Sequence, residues 1–212
     1  MGSLARADLE TLLHTKNLDR TLTRAEPGSN VRPDLEYAST GHAGLDAKLS
    51  GGIPRGQVSE LVGPRSSGRT ALMLEMMAAA TRRGELVAVV DALDMLDVES
   101  AAAAGADLDR LLWIRGLVVT SPGMCRDLNQ RALVQAVRAL TLVLDAGNFG
   151  LVVFDVGEAP SDAVRRLPFT TWLRLQRMVE GTSTACLLVG SDRLSRSPRG
   201  FSLQASVLRT AV

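Results

Sequence analysis

Residues 57–80 read QVSELVGPRSSGRTALMLEMMAAA, and their order decides the architecture. Gln57 to Val62 is a short apolar-rich run closed by glycine, the pattern of a buried strand. Ala71 to Ala80 consists almost wholly of strong helix formers. The chain must therefore pass from strand to helix within GPRSSGRT, residues 63–70. Glycines in such a loop let successive backbone N–H groups turn inward around an anion, in conformations a side chain would obstruct, while the helix start aims its positive end at the same point. The spacing is that of a phosphate-binding loop, with one departure: Arg69 stands where lysine is usual. The candidate phosphate-binding set is Gly63, Ser66, Ser67, Gly68, Arg69 and Thr70, with Thr70 placed to offer a hydroxyl to Mg²⁺. Lysine serves such a site as a compact point charge. Arginine is planar and forked, so the exchange is not conservative where geometry is fixed.

On the C-terminal side the same alternation repeats. Leu86 to Val90 is an apolar strand ending on Asp91, Val98 to Ala104 an alanine-rich helix and Leu111 to Ile114 a further strand. A long amphipathic helix from about Arg126 to Asp145 leads into LVVFD, residues 151–155, a strand ending on a carboxylate. Thr170 to Val179 reads as helix, Ala185 to Val189 as a buried strand, and Phe201 to Arg209 alternates well enough to be a last one. The segment Gly51 to Gly56 reads as a tight, hairpin-like turn. Strands apolar through their length and separated by helices imply an α/β domain with a mostly parallel sheet covered on both faces. Asp155, at the end of its strand, is the carboxylate expected to complete the phosphate loop by holding Mg²⁺. On the N-terminal side, residues 1–36 form an arm and linker in which Leu4 to Leu13 has helical spacing, and residues 37–212 form the core domain. So short an apolar stripe must pack on its own core or on another subunit, which makes a homo-oligomer the expectation.

Composition narrows the function classes. A net charge of +1 gives no bulk attraction to nucleic acid or membrane, so an anionic partner must be met by a local arginine patch. Aromatic residues amount to 3%, too few for the base-stacking platforms of an oligonucleotide-binding barrel. Cys125, Cys186, His14 and His42 show no metal-ligand spacing, and no metal is expected. The absence of a signal-like start or a membrane-length apolar run leads to the expectation of a cytoplasmic protein.

The words STGHAGLDAKLSGGIPRGQVSELVGPRSSGRTALMLEMMAAATRRG and VAVVDALDMLDVESAAAAGADLDRLL resemble the RecA recombinase family, and the likeness extends over most of residues 39–190. Within it, GADLDRLLWIRG and AVRRLPFTTWLRLQRMVEG are similar to the ImuA family of bacterial error-prone repair cassettes. The resemblance implies a protein that acts in damage-induced mutagenic translesion synthesis beside ImuB, a Y-family polymerase relative, and a second C-family polymerase. RecA and single-stranded or primed DNA are further candidate partners. Its departures from an active RecA are informative. The glutamate that polarises water two residues after the strand-terminal aspartate is Leu93 here; the aromatic residue that stacks on adenine is Ser100; the Asn-Gln pair that senses the γ-phosphate is Gly190-Ser191. Loss of a group that polarises water costs about 10²- to 10⁴-fold in rate. Asp94, Asp97 and Glu99 are nearby carboxylates, read as solvated loop residues. The expectation is thus a non-catalytic adaptor with no resident cofactor. A DNA-dependent ATPase of recombinase type, or an ATP-gated DNA-binding module that does not hydrolyse, stands as the alternative, and only these retain ATP and Mg²⁺.

DNA-loop positions of the family fall on arginine-bearing segments. Arg193, Arg196 and Arg199 lie in SDRLSRSPRG and Arg165 and Arg166 in VGEAPSDAVRRLP, a composition suited to phosphate contact without base reading. Trp113 and Trp172 read either as interface anchors or as core residues.

Overall fold

A computed structural model describes residues 36–117, 126–194 and 200–206, all within the unit Arg32–Val212. The N-terminal arm, apart from Glu36, lies outside these residues, as do Cys125, Arg196 and Arg199. In chain order the elements are β1 (Tyr37–Ala38), α1 (Ala43–Lys48), β2 (Ile53–Pro54), β3 (Gln57–Val62), α2 (Arg69–Arg82), β4 (Val87–Asp91) and α3 (Val98–Ala103). A short 3₁₀ turn, Leu108–Arg110, leads to β5 (Leu111–Arg115), then α4 (Arg126–Ala146), β6 (Leu151–Asp155), α5 (Ser161–Arg165), α6 (Phe169–Val179), β7 (Ala185–Gly190) and β8 (Ser202–Gln204).

The apolar runs pair into one six-stranded sheet in the order β5-β4-β6-β7-β3-β8, parallel at every pairing. Its central strands have no polar face. Val87 and Val89 point to the side packed by α2, whereas Ala88 and Val90 point to the side packed by α4 and α6. Period-two alternation therefore feeds two cores, which is why these strands read as unbroken apolar runs. Short side chains at Ala78, Ala79 and Ala80, all buried, let the α2 backbone lie close to the sheet, and Met73, Met76 and Met77 fill the gaps between. On the opposite face Trp172 packs against Phe154 with ring centroids 6.5 Å apart, so this tryptophan is a core residue. Cys186 lies wholly buried in β7, where burial pushes its thiol pKa up to about 12 and leaves it a packing residue.

The helix over 71–80 extends to Arg69 and Arg82, and the remaining strand and helix assignments agree within a residue or two at each end. Two features depart from the sequence reading. Gly51 to Gly56 is not a bare turn, because Ile53 and Pro54 form β2 and pair antiparallel with Tyr37 and Ala38. Gly52, at φ +136°, makes this possible: a Cβ there would be driven into the Ala38 carbonyl. The last strand is short, Ser202–Gln204 beside β3, and the remainder of the run predicted to Arg209 lies beyond residue 206.

Register brings the functional words to one edge. Asp91 stands opposite Asp155 on neighbouring β4 and β6, and Val62 stands opposite Gly190 on β3 and β7. The carboxyl ends of the central strands are thus level with the glycine loop, the usual place for a ligand in a parallel sheet. Among the described residues no helix is long and apolar enough to cross a membrane.

Candidate functional site

The loop between β3 and α2 takes the conformation its composition foretells. Ser66 and Gly68 both adopt positive φ, +60° and +83°, and Gly68 serves as the left-handed N-cap of α2 without any side-chain cap. Gly63 is required for closeness: a Cβ there would lie 2.6 Å from Ser67 Oγ and 2.7 Å from the Ala205 carbonyl oxygen. Around this loop opens a cleft of about 410 Å³ lined by Arg65, Ser66, Ser67, Gly68, Arg69 and Thr70, with Met95, Leu96, Asp155 and Glu158 opposite. All the phosphate-set residues but Gly63, together with Asp155, line this one cleft.

The Arg69 guanidinium, at this cleft, is already engaged by the protein itself. Its side chain is 7% exposed. Nη1 donates to the Gly63 carbonyl oxygen within the loop itself, and Nη2 donates to Glu158 Oε1 at 2.8 Å. The remaining Nε is buried without a hydrogen-bond partner, as is Ser67 Oγ. Spacing along the sequence does not single out Glu158, although VGEAP carries a carboxylate three residues beyond the strand-terminal aspartate. Distance along the chain hides its role, since the partners are 89 positions apart.

Asp155 is half-buried at the end of β6. Burial, first, pushes its pKa up to about 6; the Gly157 N–H, donated to Oδ1 at 2.7 Å, and the Arg69 charge oppose this, while Asp91 and Glu158 add to it. Its neighbour Asp91 is 2% exposed and accepts hydrogen bonds from Leu96 N at 2.7 Å and Trp113 Nε1 at 3.3 Å. Trp113 is thereby fixed at the sheet edge, with the Arg115 guanidinium 4.7 Å from its ring centroid.

The segment after β4 contributes apolar groups. Leu93 is 3% exposed within the core under α4, and Leu96 and Met95 form the cleft wall. None of the nearby carboxylates lines the cleft, and Asp94, unlike Asp97 and Glu99, is not solvated as the sequence suggests, since its side chain is 7% exposed beside Arg115. Asp94 takes a two-pronged hydrogen bond from Arg115 at 2.7 and 2.8 Å, which holds its pKa below the usual carboxylate range. Asp97 caps α3 through Glu99 N and accepts from the Ser100 hydroxyl, so Ser100 is engaged there. Glu99 is exposed and does not line the cleft.

These residues do not fit a magnesium-bound triphosphate. The guanidinium expected at the phosphates is turned onto Gly63 and Glu158, and the charges that line the cleft, Arg65 and Arg69 against Asp155 and Glu158, balance to zero. Gly190 and Ser191 offer nothing long enough to sense a phosphate. The Gly190 backbone serves the sheet, accepting Gly63 N at 3.2 Å.

A second cleft, about 280 Å³, is lined by Ser161, Arg165, Ser191, Asp192, Arg193 and apolar neighbours. It brings together Arg165 and Arg193 from the two arginine-bearing segments. Arg166 points away and pairs with Asp162 on the α5 surface at 3.4 Å. Arg193 stays 76% exposed, with Nε 3.8 Å from Glu60 Oε1. Glu60, buried in β3, also accepts from Leu194 N and Ser202 Oγ, and so ties the chain beyond β7 to the sheet.

The RecA N-terminal domain family matches residues 22–155. The chain is 37% identical over 129 residues to the RecA protein of Arthrobacter sp. strain FB24, a match covering 60% of this chain and 33% of that protein. With the RecA proteins of Colwellia psychrerythraea and Kineococcus radiotolerans it shares 46% and 45% identity over 86 residues, or 40% of this chain and 25% of theirs. The matched stretch thus spans only a quarter to a third of these relatives.

Proposed function

We propose that this chain, which belongs to the RecA N-terminal domain family, acts as a non-catalytic adaptor in damage-induced mutagenic translesion synthesis, as its ImuA-like words imply. The observation that carries the reading is the state of the loop cation: Arg69 is held by Gly63 and Glu158 inside the protein, while Leu93 occupies core space where an active relative needs a carboxylate. A fold kept intact around a phosphate loop so occupied supports work done by surfaces. The partners proposed are an ImuB-like Y-family polymerase relative, a second error-prone C-family polymerase, RecA and further copies of this chain. The test is phosphate release from ATP with Mg²⁺ and single-stranded DNA, set beside retention of the ImuB-like protein on immobilised chain. No release above background and retention undiminished in Arg69→Ala are expected. Turnover that vanishes in Asp155→Ala overturns the reading.

The second cleft favours an added role in DNA contact, because Arg165 and Arg193 line one opening beside Ser191, where the Ser161 hydroxyl is given to Asp192. Replacing Arg165, Arg193, Arg196 and Arg199 by alanine is expected to weaken single-strand binding. The logarithmic salt slope should fall by about 0.7 for each phosphate no longer neutralised. A slope equal to that of the unaltered chain counts against a role in DNA contact.

A further inference from the structure

We infer that Glu158 is a built-in counter-ion that holds the phosphate loop closed to anions, and that its removal opens the loop to pyrophosphate-like groups. This role goes beyond that of an adaptor and does not depend on which partner the protein meets. The fold delivers the carboxylate from a constrained turn. Asp155 Oδ1 accepts the Gly157 N–H at 2.7 Å, which bends the backbone just past β6. Gly157 adopts φ +55°, a left-handed conformation, and Ala159 N donates to the Val156 carbonyl at 3.0 Å. Pro160 then leads directly into α5. Fixed on both sides, Glu158 meets Arg69 with little backbone freedom left to lose.

The electrostatics explain why the pair excludes an anion. Arg69 is the first residue of α2, where unpaired backbone N–H groups and the helix dipole attract negative charge. Its buried guanidinium needs a counter-ion, because a lone charge so enclosed is costly. Glu158 supplies the counter-ion with one oxygen at 2.8 Å, and it is the more exposed partner, 27% against 7%, on the solvent side of the pair. An incoming phosphate would have to displace a carboxylate already tethered by the fold, whose effective concentration is far above that of a free ion. Without the carboxylate, Arg69 keeps its place beside Gly63 with a donor and a charge unmatched, at the mouth of a cleft whose other lining groups include Ser66, Ser67 and Thr70. That is an anion site with its anion removed.

Calorimetric titration of the full chain with sodium pyrophosphate, with and without Mg²⁺, tests this. Glu158→Gln, which keeps shape and removes charge, should bind at least about tenfold more tightly than the unaltered chain, the worth of one charge-assisted hydrogen bond. The gain should vanish in the Arg69→Ala, Glu158→Gln double variant. Glu158→Asp, which retains the charge but shortens the reach, should gain less, and it serves as the readout if the glutamine variant fails to fold. The inference is overturned by unchanged affinity in folded Glu158→Gln and Glu158→Asp, by equally tight binding in the unaltered chain, or by a gain that persists without Arg69. Loss of retention of the ImuB-like protein would instead count against the adaptor reading and leave this inference standing, so the two fail separately.

Discussion

Leu93→Glu, which rewrites the chain toward an active RecA, should destabilise the fold by about 4 kcal/mol or more at neutral pH and leave phosphate release at background. The physical reason is placement. Leu93 is 3% exposed among Val90, Ala92 and Val156 in the core beneath α4. A glutamate there forfeits the leucine packing and must either bury a charge or protonate. Its folded-state pKa would rise above the unfolded value, so the deficit must grow as pH rises through the acidic range; urea unfolding at pH 5 and pH 8 would show the larger loss at pH 8. Leu93→Met, which preserves volume and polarity, should cost less than about 1.5 kcal/mol. A Leu93→Glu variant that is as stable as the parent and hydrolyses ATP would refute this account of the missing carboxylate.

Asp155→Asn should act in the opposite sense, raising stability at pH 8 by up to about 3 kcal/mol, the free energy of moving a carboxyl from its ordinary 3.8 to about 6. In the folded protein Asp155 binds its proton more tightly than in the unfolded chain, so its contribution is fully favourable below about pH 4. That contribution is lost as pH rises toward 6, where burial and the facing Asp91 penalise the ionised form. Asparagine removes the charge yet can still accept the Gly157 N–H that shapes the turn. Thermal unfolding from pH 4 to 8 should therefore fall with pH for the parent across this window more steeply than for the variant. Parallel profiles would show that Asp155 is ionised at no cost.

Much of the architecture was readable along the chain because its determinants are local. Unbroken runs such as VAVVD and LVVFD can be strands only if both faces are covered, and ALMLEMMAAA fits only a helix lying close on a sheet. Pairing was less legible. Ile53 and Pro54 look like part of a turn until β1 supplies a partner, and nothing local shows that the Gly52 backbone must approach Ala38. The candidate site divides in the same way. Gly63, Gly68, Thr70 and Asp155 follow a spacing fixed by strand–loop–helix geometry, and the fold brings them to one edge. Arg165 and Arg193 come from separate segments, and their shared cleft arises from the packing of α5 beside the end of β7.

By itself the sequence determined an α/β sheet with a phosphate-type loop, and it marked Arg69, Leu93, Ser100 and Gly190-Ser191 as departures from an active relative, since residue type and spacing dictate backbone conformation and available chemistry. Only the tertiary structure decided what those departures became. Leu93 is absorbed into the core, and Arg69 is held by Gly63 and matched by Glu158, because a buried charge takes whichever counter-ion the fold brings within hydrogen-bonding distance, and that is a property of space rather than of order along the chain.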